Sequence, residues 1–156
     1  MDHFAVRILN VHRTMATSTI RPDGWPQTTI VGYANRGFDI DFLIFRESQK
    51  FANILRDDRI SIAVASEPED FRTVQAVYAG AHAAEITEKA DRQAAWRRMM
   101  ERHPIFAGSQ IPELEHATFM HARCKYISVL DYTQGMGHRE EFIVEDDGTL
   151  TASPDE

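Results

Sequence analysis

Cysteine is almost missing: Cys124 is the only one in 156 residues, so no intrachain disulfide can form and a reducing compartment is favoured. Long apolar runs are missing too. No stretch approaches the ~18 residues of a membrane-spanning helix. Arg7, Asn10, His12 and Arg13 interrupt the N-terminal "MDHFAVRILNVHRT", which therefore lacks the core of a signal peptide. A soluble, cytoplasmic protein is expected. Basic charge is short, with 17 Lys and Arg against 24 Asp and Glu and a net charge of −7. That balance argues against a nucleic-acid or anionic-membrane binder, which needs a basic face.

Catalytic and metal signatures are absent as well. The chain carries no CxxC, HExxH, GxSxG, P-loop or GxGxxG, and no internal repeat. His116 and His121, five residues apart, share neither a helical nor a strand face, so no metal site is expected. His82, in an alanine-rich run, reads as packed or hydrogen-bonded. Cys124, between Arg123 and Lys125, reads as a strand residue and not as a nucleophile.

What is present is alternation. The length fits one domain over residues 1–156, with a short amphipathic N-terminal helix over 1–14 marked by Phe4, Ile8 and Val11 (or Leu9). Two β-prone runs, Met15–Ile20 and Thr28–Tyr33, flank the turn-rich "RPDGWP". A second turn, "ANRG", leads to Asp39–Phe45, where Ile40, Phe42 and Ile44 alternate with Asp39, Asp41 and Leu43. A helix follows, capped by Ser48, with Phe51, Ile54 and Leu55 as its apolar stripe. "RISIAVAS" is a fourth strand. The run "FRTVQAVYAGAHAAEIT" is a fifth, in which Gly80 signals a bulge or a close approach. Helical period returns from Glu88 to His103, with Trp96, Met99, Met100 and His103 on one side. "MHARCKYISVLDYT" is a sixth strand and "REEFIVED" a pairing partner near the end, while residues 146–156 read as a frayed acidic tail. "YTQGMGH" (132–138) is glycine-rich, either a pocket loop or a plain turn. Short strands in series with inserted helices predict a mainly β fold, a small antiparallel barrel.

One corner carries chemistry. In "FLIFRESQKFANILRDDRISIAV" (Phe42–Val64) a strand becomes a helix through Arg46, Ser48 and Lys50. Free N–H groups and partial positive charge at a helix start suit a phosphate, although a capped helix with two surface cations needs no ligand.

The order of hairpin, strand, S-x-K corner, helix, "RISIAV" and "VQAVYAG" over Met15–Gly80 resembles the pyridoxamine 5′-phosphate oxidase-like flavoproteins. The resemblance implies an antiparallel split β-barrel of the FMN-binding type. It also implies a homodimer with the cofactor FMN between subunits, and flavin oxidoreductase chemistry on a small-molecule substrate. By the same resemblance Lys50 would meet the FMN phosphate, with Ser48 supplying the hydroxyl of the corner. Leu43 and Ile44 would flank the flavin. Thr29, Ile30 and Val31 would lie on the strand that runs along the ring, and Gln75 would hydrogen-bond it. Where the family has an arginine between serine and lysine, this chain has Gln49, which Arg46 could replace from the other side. Thr29 and Ala34 stand where the true oxidases carry Arg and Lys, and "DYTQGMGHREEF" lacks their Arg-Leu-His arrangement, so pyridoxine-phosphate oxidation is not expected. A non-catalytic flavin or haem module, a deazaflavin-dependent reductase and a cofactor-free barrel are the alternatives. No catalytic acid or base is marked.

Overall fold

A computed structural model describes residues 3–154. The chain runs α1 (Phe4–Val11), β1 (Thr14–Ile20), β2 (Pro26–Arg36), β3 (Asp39–Phe45), α2 (Gln49–Arg56), β4 (Arg59–Ala65), β5 (Gln75–Glu85), α3 (Lys89–Arg102), β6 (Ala117–Asp131), β7 (Arg139–Val144) and β8 (Leu150–Ala152). The strands form one antiparallel sheet in the order β3-β2-β1-β4-β5-β6-β7-β8. A further β3–β6 pairing closes the first six into a barrel. Closure shortens the free edges that make open sheets prone to association, without removing them along β2 and β8.

The alternation predicted for β3 holds, and the same pattern extends to its neighbours. Met15, Val31, Tyr33, Ile40, Phe42, Ile44, Ile60, Ile62, Val64 and Val77 point inward and form the core. Both readings of Gly80 are correct. The β5–β6 register shifts at Gly80/Ala81, and a Cβ on Gly80 would lie 2.3 Å from the Tyr126 ring. Burying an aliphatic or aromatic side chain contributes ~1.5–3 kcal/mol relative to exposure, so this inward set dominates the stability.

Three expectations change. The terminal segment is not all frayed, because Leu150–Ala152 pairs with Phe142–Val144 as β8 and Leu150 packs against the core. Leu55 is 67% exposed, whereas Asn53 is fully buried. Asn53 donates to Thr19 Oγ1 (2.9 Å) and Gln27 Oε1 (3.2 Å) and accepts from Gln49 (2.8 Å), so hydrogen bonds hold α2 across the barrel end. The N-terminal helix is shorter than 1–14, at Phe4–Val11; the beginning of the predicted span and the last two residues of the predicted tail lie outside the described residues.

Candidate functional site

The barrel is split. β2 pairs with β3 only over Tyr33–Arg36 against Asp39–Phe42. Beyond that, β2 from Pro26 to Gly32 stays on β1, while Leu43, Ile44 and Phe45 stay on β6. The strands diverge, and among the described residues one side of β2 over 26–32 has no strand partner, leaving its outward-turned N–H and C=O groups to water or a ligand.

The corner sits where the split opens. Ser48 caps α2, its Oγ accepting from Phe51 N (3.3 Å) and donating to Phe45 O (2.6 Å). Lys50 lies half-buried in the first turn, and its ammonium forms no hydrogen bond or ion pair with another described residue. First-turn N–H groups of a helix lack intrahelical acceptors. A free cation and free N–H donors at one opening fit a phosphate. Ile30, 68% exposed on the outer face of β2, and the exposed Phe45 offer apolar surface beside it. At the other end of the split, His103 covers Gly32, with its ring 3.1 Å from where a Cβ would stand and its Nε2 2.8 Å from Tyr33 O.

The remaining proposed residues are spread out. Thr29 points inward opposite Thr17, and both hydroxyls are buried without a partner. Val31 and Ile44 belong to the main core. Leu43 turns outward under α3, beside Phe119 and Trp96. Arg46 is committed elsewhere, its Nη2 on Glu85 (2.6 Å), its Nε on Leu114 O (2.5 Å) and its guanidinium over the Phe51 ring. Burial opposes ionisation of Glu85, but bonds from Thr118 and Arg46 outweigh it and hold this carboxyl below its usual range. Gln75 stands at the opposite end of the barrel, donating to Asp131 (3.2 Å). It lies four residues from Ala79, the β5 position in line with Thr29 through Thr17 and Ile62, or ~13 Å along the strand. One chain therefore brings Ser48, Lys50 and the free edge of β2 together, and leaves Gln75 apart.

A second polar site had no local signal in the sequence. Asp41, 2% exposed on β3, accepts from Arg98 of α3 (Nε 2.8 Å, and Nη2) and bonds His121 Nδ1 (2.8 Å). His121 Nε2 faces Asp39 at 3.2 Å. With both ring nitrogens facing carboxylates, the surroundings favour the doubly protonated ring, which donates on both sides. Its bond to Asp41 raises the His121 pKa against the opposing effect of burial. Burial works against the Asp41 carboxylate as well, but the bonds and charges of His121 and Arg98 prevail and lower its pKa. The cluster borders a cleft of about 450 Å³ beneath α3. His82 is exposed and bonds Asp58 (2.8 Å), in line with its hydrogen-bonded reading. Cys124 is buried, and burial pushes its thiol up to about 12, which removes the thiolate a nucleophile needs.

The pyridoxamine 5′-phosphate oxidase family model matches residues 1–130. No curated protein matches the chain. A haem-binding protein from Mycobacterium smegmatis superimposes with a TM-score of 0.74 at 16% identity, over 89% of this chain and 57% of its own length. The haem storage protein HutZ from Vibrio cholerae gives 0.64 at 14% identity, covering 76% and 86%. An FAD-binding protein from Mesorhizobium loti gives 0.64 at 16% identity, covering 80% and 90%. At these identities the structural likeness establishes the fold alone. Among the described residues no helix is long and apolar enough to cross a membrane.

Proposed function

Because the chain belongs to the pyridoxamine 5′-phosphate oxidase family, matched over residues 1–130, we propose that it binds FMN in the split between β2 and β3 and acts as a flavin-dependent oxidoreductase on a small substrate. The observation that carries this reading is the Lys50 ammonium at the start of α2, which has no partner among the described residues and stands where β2 leaves β3. Lys50 and the first-turn N–H groups would hold the phosphate, with Ser48 fixing the turn. The β2 backbone over Thr29–Val31 would hydrogen-bond the ring edge, and Ile30 would pack on its face. Bound flavin supplies hydride-transfer chemistry; the chain's part is to bind it, orient it and tune it through hydrogen bonds.

The same reading includes a homodimer. One row of outward residues crosses five strands: Ile30, Ala16, Ala63, Tyr78 and Ser128. The next is Thr28, Ser18, Ser61, Gly80 and Tyr126. Small side chains between exposed Ile30, Tyr78 and Tyr126 make a shallow, uncharged face of mixed apolar and hydroxyl groups suited to a second copy. Across it the partner's Gln75 could approach a cofactor that its own chain's Gln75 does not. Sedimentation should give a dimer, and Ala63→Glu, which sets a charge in the middle of the face, should give a folded monomer. A wild-type monomer at micromolar concentration would refute the dimer.

Haem is the second reading, favoured by two haem-named relatives of the same fold. An absorption spectrum as purified, and again after adding FMN and removing the excess, separates them. The expected result is a retained flavin spectrum. Lys50→Ala should then weaken FMN by ~1.5–3 kcal/mol, the range for a hydrogen bond to a charged group, with little change in unfolding of the cofactor-free protein. Unchanged FMN affinity would make the corner only a helix cap.

A further inference from the structure

The end of α1 with Arg13 just beyond it, Ala34–Arg36 of β2 and the C-terminal end of α3 meet around a groove of about 370 Å³. Ligand pockets commonly measure ~300–1,000 Å³. The chain carries a net charge of −7, but this groove runs the other way. Arg13, Arg36, Arg98 and Arg102 line it against the single carboxylate of Glu101, a surplus of three positive charges. One remains in surplus even when Asp39 and Asp41, the β3 register partners of Arg36 and Ala34, are counted.

These charges are also unmatched. Arg98 has a counter-ion in Asp41. Arg102, half-buried, has none among the described residues. It places Nη1 on Leu9 O (3.0 Å) and His12 O (2.8 Å) and Nη2 on Asn35 Oδ1 (2.8 Å), all neutral acceptors, with the Nε proton unused. Those bonds cover the last carbonyls of α1, whose partial negative charge would otherwise face the groove. Arg98 and Arg102 stand one turn apart on α3, a like-charge spacing that is unfavourable without an anion.

The side chains of Arg13 and Arg36 are exposed and form no bond or ion pair with another described residue, and neither does that of Glu101. Arg13 O accepts from Tyr33 N (3.1 Å), three residues before Arg36, so the two free arginines start ~11 Å apart, within joint reach of one small group. Guanidinium forks match phosphate oxygens bidentately. The groove is larger than a lone ion fills. Val11, 76% exposed, and the Asn10 amide, whose N–H₂ is unused, supply partners for an organic remainder.

We propose that this groove binds a small phosphomonoester, its phosphate between Arg13 and Arg36 and against Arg102. The site lies apart from the split, since Asp39, the partner of Arg36, is six residues or ~20 Å before Phe45 on β3. It does not depend on the flavin reading.

The test titrates glycerol 3-phosphate into the intact labelled protein at low salt and follows amide chemical shifts, with glycerol and inorganic phosphate as parallel titrants. Glycerol 3-phosphate should bind with Kd on the order of 1 mM, a reasonable value for ten heavy atoms. Shifts should centre on Val11, Asn35 and Glu101. Inorganic phosphate should compete for the same site more weakly, and glycerol should not bind. Arg13→Gln with Arg36→Gln, which removes no side-chain bond of the native fold, should weaken the ester at least about tenfold. Glu101→Gln, which removes the carboxylate of the lining, should tighten it, and Lys50→Ala should leave it unchanged. Inorganic phosphate binding as tightly as the ester would overturn the monoester and assign the groove to the free ion. Equal binding of glycerol, full affinity in the double variant, shifts centred elsewhere, or no saturation by tens of millimolar would each overturn the phosphate site itself.

Discussion

Asp41→Ala should lower the unfolding free energy by ~3–5 kcal/mol, the cost of breaking a buried ion pair from one side. The deletion strands Arg98, whose side chain is about one-fifth exposed, beneath its own helix, and takes from His121 the acceptor at Nδ1. Urea titrations at pH 5.5 and pH 8 check this. A loss below ~1 kcal/mol at both would mean that the cluster is no stronger than a surface ion pair.

The wild type should also show a particular pH profile. Asp41 has a depressed folded pKa, so its contribution is complete above the ordinary carboxyl value near 3.8 and is lost as pH falls through the lower, folded value. His121 has a raised folded pKa, so its contribution is complete below its ordinary 6.5 and is lost as pH rises through the higher, folded value. The cluster therefore stabilises most between about pH 4 and 6.5. Asp41→Ala should flatten both flanks of that profile.

Phe119→Ala should cost ~3–5 kcal/mol, the usual range for deleting a buried aromatic side chain. Phe119 is 1% exposed and sits under α3, with its ring edge toward Trp96 at 6.0 Å between centroids. The smaller core there holds Ala34, Ala95, Trp96 and Met99. Its loss should loosen α3 before it opens the barrel, because none of the main-core residues belongs to this cluster. Near-ultraviolet dichroism from Trp96 should weaken while the far-ultraviolet β signal persists. A cost below ~1.5 kcal/mol would mean that the layer repacks around the void.

Which residues can be read from the chain depends on the range of the interaction. The inward sets of β3 and β4 are legible, because alternation is written into five to seven consecutive residues, and for β1, β2, β5 and β6 the chain marks a strand but not its inward face. The Ser48 cap was legible too, since a hydroxyl and the N–H it accepts lie three positions apart. Asp41 was not. Its outward position in the alternation is right, but outward there means under α3, and its partners are 57 and 80 residues away. Helical period favours the apolar Leu55 over Asn53; only the position of Thr19 and Gln27 makes the amide the buried residue. The strand β8 is three residues long and largely exposed, so almost no hydrophobic pattern marks it. In the split, Lys50 was legible through the corner motif. The positions of Arg46 and Gln75 were not, since periodicity tells which face a side chain takes and not which end of a barrel it reaches.

The fifteen residues of β6 have an uneven set of neighbours. β5 accompanies nearly the whole strand, β3 takes Ala117–Arg123, and only the β7–β8 hairpin takes Tyr126–Leu130. Six strands are thus closed on one another, whereas the hairpin's strand pairing to the barrel runs along one seam, backed by the packing of Phe142, Val144 and Leu150. Its amides should exchange with solvent well before those of β1 to β5, as those of a separate opening unit do. The same hairpin, with α1 and the β2–β3 turn, walls a cavity of about 750 Å³, so that opening is also a door to it. A molecule bound there would slow hydrogen exchange in β7 and β8 more than anywhere else in the chain.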